Sequence, residues 1–163
     1  MKVTRVLEIT ASEFFNAVFD EIIAEIKKVD NKDISRDAFK KGFKYTHKSE
    51  DVYARMDFEV IDYKKNEYYK SKKESIRAAT TVCYEVTPCE RGISVTFTQE
   101  QIVKGTSQKP KKQTFFSKIG DTVNLGRMTD KLYGFQKAVI NEKEGMIEKE
   151  SGNMFIPNTR KSK

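Results

Sequence analysis

The chain has 163 residues, 37% of them hydrophobic and 34% charged, which describes one folded domain with a heavily solvated exterior rather than a disordered or membrane-embedded chain. The 31 Lys and Arg against 24 Asp and Glu give a formal charge of +7, an attraction for polyanions only if the excess gathers on one face. Two cysteines, Cys83 and Cys89, and one histidine, His47, exclude a disulfide framework or a conventional zinc ligand set, so reduced thiols and no metal or other cofactor are expected.

Apolar runs are only a few residues long, and Met1-Lys2-Val3-Thr4-Arg5 enters an alternating pattern without a signal-peptide core. No membrane span and a cytoplasmic setting are therefore expected. Val3 to Ile9 is predicted as a strand with Val3, Leu7 and Ile9 on one face; Arg5 and Val6 break the alternation. Thr10 followed by Glu13 has capping-box spacing, in which hydroxyl and carboxylate each satisfy a free backbone N–H at a helix start. Behind it Phe15, Val18, Phe19, Ile22 and Ile26 form a helical stripe, widened by Phe14 and Ile23.

Val29 to Asp33 is a polar interruption, and Ile34 to Lys41 is predicted to add one or two helical turns ended by Gly42. The period then changes to two. Phe43 and Tyr45 share a face; after a polar turn at Lys48 to Asp51, so do Val52, Ala54, Met56, Phe58 and Val60, with Tyr53, Arg55, Asp57 and Glu59 opposite. Such alternation belongs to an antiparallel sheet with one wet side. Asp62 to Glu67 is a charged turn. Tyr68 to Ser75 has lysines on both faces, the pattern of a strand that overhangs the core or lies at an edge. Ala78 to Thr87 turns Val82, Tyr84 and Val86 one way, Pro88 to Gly92 makes a turn, and Ile93, Val95 and Phe97 begin a strand reaching Val103.

Gly105 to Lys112 is loop-like. From Asp121 to Ile140 the residues Leu125, Met128, Leu132, Phe135 and Val139 recur at alternating steps of three and four, one stripe of a helix. Twenty helical residues span about 30 Å, enough to cross several strands, so this helix is predicted to roof the sheet, with Asp121 or Thr122 as its cap. Gly126 and Gly134 project from its outer side. One domain over 1–145 is expected, followed by a polar, basic, loosely held tail over 146–163.

Strand, helical segment, strand meander and long closing helix is an order that resembles the helix-grip, START-like (SRPBCC) superfamily, in which polyketide cyclases and birch-pollen-allergen (Bet v 1-like) proteins also fall. More narrowly, the chain resembles a bacterial family known as a domain of unknown function. The resemblance lies in Ile9-Thr10-Ala11-Ser12-Glu13-Phe14-Phe15, in Gly42-Phe43-Lys44-Tyr45, and in Cys83-Tyr84-Glu85-Val86-Thr87-Pro88 followed by Ile93-Ser94-Val95-Thr96-Phe97. It covers residues 1 to about 142. It implies an α+β fold, a curved antiparallel sheet wrapped on a long C-terminal helix, and it supplies no catalytic residue.

In that scaffold the inward stripes of sheet and helix enclose a space, whose predicted lining is Met56, Phe58, Val82, Tyr84, Val95, Phe97, Met128, Leu132 and Phe135. An apolar space with the Tyr84 hydroxyl as a polar handle suits a hydrophobic small molecule, and methionines adapt to its shape; a completely filled core would serve folding equally well. His47 sits among Lys48, Ser49, Glu50 and Asp51, a solvated turn with no convergent partner for base catalysis. Asp57, Glu59 and Glu85 fall on outward faces. There is no phosphate-binding glycine loop, nucleophile elbow or metalloprotease motif.

Basic stretches at Lys70 to Lys73 and Lys104 to Lys118 are interleaved with Tyr68, Tyr69, Phe115 and Phe116, but acidic residues punctuate them and Arg is scarce, so nucleic acid is not the expected partner. The expectation is a non-enzymatic binding protein for a small hydrophobic ligand. The alternatives are a cyclase- or hydrolase-type enzyme using the same cavity, and a basic module for protein or nucleic-acid interaction with a filled core.

Overall fold

The computed structural model describes residues 1–104 and 115–153, with side chains described for 1–52, 54–104 and 126–147. Strand β1 (Lys2–Leu7) leads into helix α1 (Ala11–Asp30). Thr10 caps α1: the Glu13 N–H donates to its hydroxyl at 3.3 Å, and the Thr10 N–H donates to the Glu13 carboxylate at 2.9 Å, so both halves of the capping box form. The helix runs through Val29 and Asp30, two residues of the expected interruption, and ends where Asn31 turns left-handed at φ 51°. A single 3-10 turn, Arg36–Ala38, follows. Phe39 is buried behind it, and Gly42, at φ +88°, makes the reversal that a side chain would strain.

The five remaining strands are β2 (Lys44–His47), β3 (Met56–Lys64), β4 (Tyr68–Glu74), β5 (Ala78–Cys89) and β6 (Gly92–Val103). They form one antiparallel sheet in the order β1-β6-β5-β4-β3-β2. Its successive hairpins return the chain to β1, so the first strand of the sequence is zipped to the last, Lys2 opposite Thr98 through Leu7 opposite Ile93. A bulge between Val60 and Asp62 interrupts the β3–β4 ladder and re-aims β3. In the β5–β6 hairpin Gly92 adopts φ +128°, and an added Cβ would lie 2.3 Å from the Leu7 carbonyl oxygen, so this position requires glycine.

Three strand expectations are corrected. Val52 and Ala54 do not belong to β3 but to a 3-10 turn: β2 ends at His47, opposite Met56, and nothing remains for earlier residues to pair with. Instead the Ala54 N–H donates to the Asp51 carbonyl at 3.0 Å and Arg55 Nε to the Ser49 carbonyl at 2.9 Å. The strand from Tyr68 lies in the sheet interior, between β3 and β5, rather than at an edge. Its lysines are accommodated because Lys70 and Lys72 share the outer face with Tyr68, while the inward Lys73 meets Glu25 of α1 at 2.6 Å. Pro88 continues β5 opposite Ile93 and leaves only two residues for the turn.

Helix α2 (Phe115–Asn153) is 39 residues long. Asp121 and Thr122 therefore lie within it rather than at its start; residues of these types cost only a few tenths of a kcal/mol in a helix interior, up to about 0.7. The helix continues through Gly145 to Asn153, and residues 154–163 of the expected tail, like the 105–112 loop, lie outside the described residues. Leu132, Phe135 and Val139 are buried, with Met128 half-buried beside them; the side chain of Leu125 is outside the described set. The roof over the sheet is shared. α2 packs on β1 and runs beside α1, while α1 seals the centre through Phe14 on Tyr84 and Phe19 on Tyr69, rings 5.5 and 5.3 Å apart. Among the described residues no helix is long and apolar enough to cross a membrane.

Candidate ligand cavity

The pairing register arranges the sheet's inward face in rows across β4, β5 and β6. Tyr69, Tyr84 and Phe97 form one row, Ser71, Val82 and Gln99 the next, and Lys73 and Thr80 the third. Side chains alternate along a strand, so successive rows are about 7 Å apart. Polarity thus rises from an aromatic end to a charged end. Above these rows α1 presents Val18, Glu21, Ile22 and Glu25, one helical face, and α2 presents Met128 and Lys131. Between them remains a cavity of about 160 Å³.

Five of the predicted residues meet there: Phe58, Val82, Tyr84, Phe97 and Met128. The other four are placed elsewhere. Val95 and Leu132 are 0% and 1% exposed and pack as ordinary core. Met56 lines a separate recess of about 20 Å³ with Ile26, Tyr45 and His47. Phe135 faces a groove of about 620 Å³ between α1 and α2, and its ring meets Phe14 at 5.6 Å. Sequence alternation identifies inward positions, but whether an inward side chain is packed or borders a void depends on the facing residue of another element.

The polar members of the lining escaped the apolar stripes. Ser71 is a buried polar residue, 6% exposed, set beside Tyr69 on β4. Burial pushes the Tyr69 pKa far up, the Ser71 hydroxyl acting the other way, and the Tyr69 hydroxyl has no hydrogen-bond partner of ordinary geometry among the described residues. Burial, the negative charge of Glu21 and Tyr69 raise Tyr84 as well. Both are therefore neutral phenols at physiological pH, able to donate a hydrogen bond and not to act as bases.

The half-exposed charges mark where the cavity reaches solvent. Lys131 Nζ lies 3.1 Å from Glu21 Oε2, and Lys73 Nζ 2.6 Å from Glu25 Oε2, with side-chain exposures between 37% and 51%. Glu21 and Glu25 stand one turn apart on α1, so both cations, one from the sheet and one from α2, are met by glutamates of the same helix. The ionisable side chains at this end form two charge-compensated pairs. Among the described residues no group of three or more His, Cys, Asp or Glu could hold a metal ion.

His47 departs from its expected setting. Its strand extends one pair further than the charged neighbours suggest, and Nδ1 lies 2.8 Å from Asp30 Oδ1 at the end of α1, both side chains 17% exposed. The second Asp30 oxygen is buried with no hydrogen-bond partner among the described residues. This pair ties α1 to the edge strand, away from the cavity. Asp57 and Glu59 do face outward, Asp57 accepting from Thr46 Oγ1 at 2.7 Å and Glu59 lying 3.4 Å from Lys44.

Residues 1–118 match the family described as Domain of unknown function (DUF3284). The chain belongs to that family. The match ends at the start of α2, short of the residue near 142 to which the sequence resemblance extends. No curated protein matches the chain in sequence. Among solved structures it is similar to a protein of unknown function from Staphylococcus aureus, at 12% identity and TM-score 0.53 over 89% of this chain and 94% of that one. It is likewise similar to the Aha1 dimer from Colwellia psychrerythraea, at 13% identity and TM-score 0.52 over 85% and 94%, and to Ara h 8.0201, at 8% identity and TM-score 0.53 over 86% and 97%. At such identities the likeness is one of fold: this chain has the helix-grip, Bet v 1-like α+β fold.

Proposed function

We propose that this DUF3284 protein binds a small hydrophobic molecule between the sheet, α1 and α2, without converting it chemically. The supporting observation is the space of about 160 Å³ bordered by Phe58, Val82, Tyr84, Phe97 and Met128. A cavity near 150 Å³ lined by apolar side chains accepts a single aromatic ring, although sites for larger ligands run to about 300 Å³ and above. The interhelical groove is larger but wetter in character. Seven of its fourteen described lining residues are charged, against four of fifteen in the cavity. Cys83 and Cys89 are both free, in keeping with the reducing cytoplasm in which we place the protein.

Titration with ethylbenzene, followed by methyl NMR, tests the reading. Saturable shifts are expected at Val18, Val82 and Met128, with little change at Val6 on the exposed edge strand. Val82→Phe, which fills the space, is expected to abolish them. No saturable shift up to the solubility of ethylbenzene would overturn the assignment.

A further inference from the structure

We infer that the cavity takes an anionic amphiphile, an apolar body carrying one negative group, oriented with the body on Tyr84 and Phe97 and the anion at Lys73 and Lys131. This rests on the cavity reading above and specifies its ligand class. From the Tyr84 row to the Thr80 row is four residues along β5, about 13 Å of strand, and over that distance the inner face passes from aromatic rings through Ser71, Val82 and Gln99 to Lys73 and Thr80. A wholly apolar ligand would match only the first part of this gradient.

The sign of the head group follows from which partner can leave. Lys73 is fixed on the inner face of an interior strand, between Phe58 on β3 and Thr80 on β5, and a cationic ligand would strand it over apolar neighbours. Glu25 hangs from the flank of α1, 48% exposed, and Glu21, 51% exposed, is its like-charged neighbour one turn away, an arrangement that disfavours holding both. Exposed ion pairs contribute little, so releasing a glutamate to water costs little. An incoming anion can take its place on Lys73, or on Lys131, which approaches from the opposite wall three residues beyond Met128. The exchange leaves each lysine paired with one anion and lets the apolar body displace water from the aromatic end.

The test compares three probes built on a phenylethyl group: ethylbenzene, hydrocinnamate, which adds a carboxylate, and phenylpropylamine, which carries an aminomethyl group in the carboxylate's place and is positively charged. Hydrocinnamate is expected to bind about tenfold more tightly than ethylbenzene, the gain of one charge-assisted hydrogen bond, and phenylpropylamine more weakly than hydrocinnamate. Lys73→Met should bring the ratio of hydrocinnamate to ethylbenzene affinity from about ten to about one, with the urea midpoint reporting that the variant is folded; Lys131→Met provides the same comparison from the other wall, and Lys73→Arg should preserve the preference. Equal binding of hydrocinnamate and ethylbenzene, stronger binding of phenylpropylamine, or a preference that survives removal of both lysines would overturn the anion assignment with the cavity intact. Failure of all three probes would instead overturn the cavity reading, and the inference with it.

Discussion

The two halves of the interior are built on one sheet and end differently. Between α1, the Arg36–Ala38 turn and the end of the β3–β4 hairpin that carries Tyr63 and Tyr69 the space is filled by rings: Phe19 stacks on Phe39 at 5.3 Å and 9°, Phe39 meets Phe43 at 5.0 Å, and Phe19 also meets Tyr63 and Tyr69. Toward β5 and β6 the middle row offers Ser71, Val82 and Gln99, and α2 brings the flexible Met128. Small or polar groups at inward positions do not fill the gap between sheet and helices, and a cavity remains. Both halves are antiparallel ladder, the filled one carrying the bulge between Val60 and Asp62, and what separates a packed interior from a cavity is side-chain volume at a few positions.

The largest expected effect tests the filled half. Phe19 is 4% exposed and touches four other rings, so Phe19→Ala should destabilise the protein by about 3–5 kcal/mol, the range for removing a buried aromatic side chain. Urea unfolding measures it. A loss under about 1 kcal/mol would mean that the stacked rings are not tightly packed, and the contrast between the halves would fail.

A paired substitution sharpens the same comparison. Val60 is 0% exposed and faces the filled half, so Val60→Phe should overpack it and cost about 1–3 kcal/mol. Val82→Phe adds the same atoms next to the cavity, where they have room, and should change stability by less than about 1 kcal/mol in either direction. Equal costs at the two positions, measured by the same denaturant midpoints, would show that the space beside Val82 is not available to a side chain.

The periodicities that made the fold legible were those of the strongest physical constraint, burial of one face. Val3, Leu7 and Ile9, the α1 stripe, and the Val82-Tyr84-Val86 and Ile93-Val95-Phe97 alternations all face inward as expected, and the capping box forms because its two hydrogen bonds are local to Thr10 and Glu13. Features set by distant partners were less legible. Val52 and Ala54 alternate like strand residues, yet the shortness of β2 leaves them nothing to pair with. The lysines of β4 suggested an edge because Glu25, which receives the inward Lys73, lies far away in sequence, although Lys72 is met by Glu74 of its own strand. Of the nine apolar residues expected around the cavity, five border it; its polar end was not legible, since Ser71, Thr80, Gln99 and Lys73 are gathered there by the β4–β5–β6 register.

The smallest expected effects separate anchoring of α1 from the packing beneath it, since this helix covers both halves. Thr10→Ala removes the hydroxyl half of the cap and should cost about 1 kcal/mol wherever α1 rests. Glu13 adds a dependence on pH. The hydrogen bond from Lys143, at 2.7 Å, and then that from the Thr10 N–H hold its carboxyl below the ordinary value of 4.5, burial acting in the opposite sense. The folded state therefore binds this proton less readily than the unfolded chain, so the stabilisation is complete above about pH 4.5 and is lost as pH falls through the lowered folded value. Glu13→Gln retains an acceptor for Thr10 and gives up the charge, so wild type should exceed the variant by about 0.3–1 kcal/mol at neutral pH. Urea midpoints taken as the pH is lowered from neutrality to about 3 should show that gap closing, because protonated glutamic acid and glutamine become equivalent there. A gap that stays constant over the titration would assign the difference to packing of the side chain rather than to its charge, and α1 would then be held by the same contacts that fill the aromatic half.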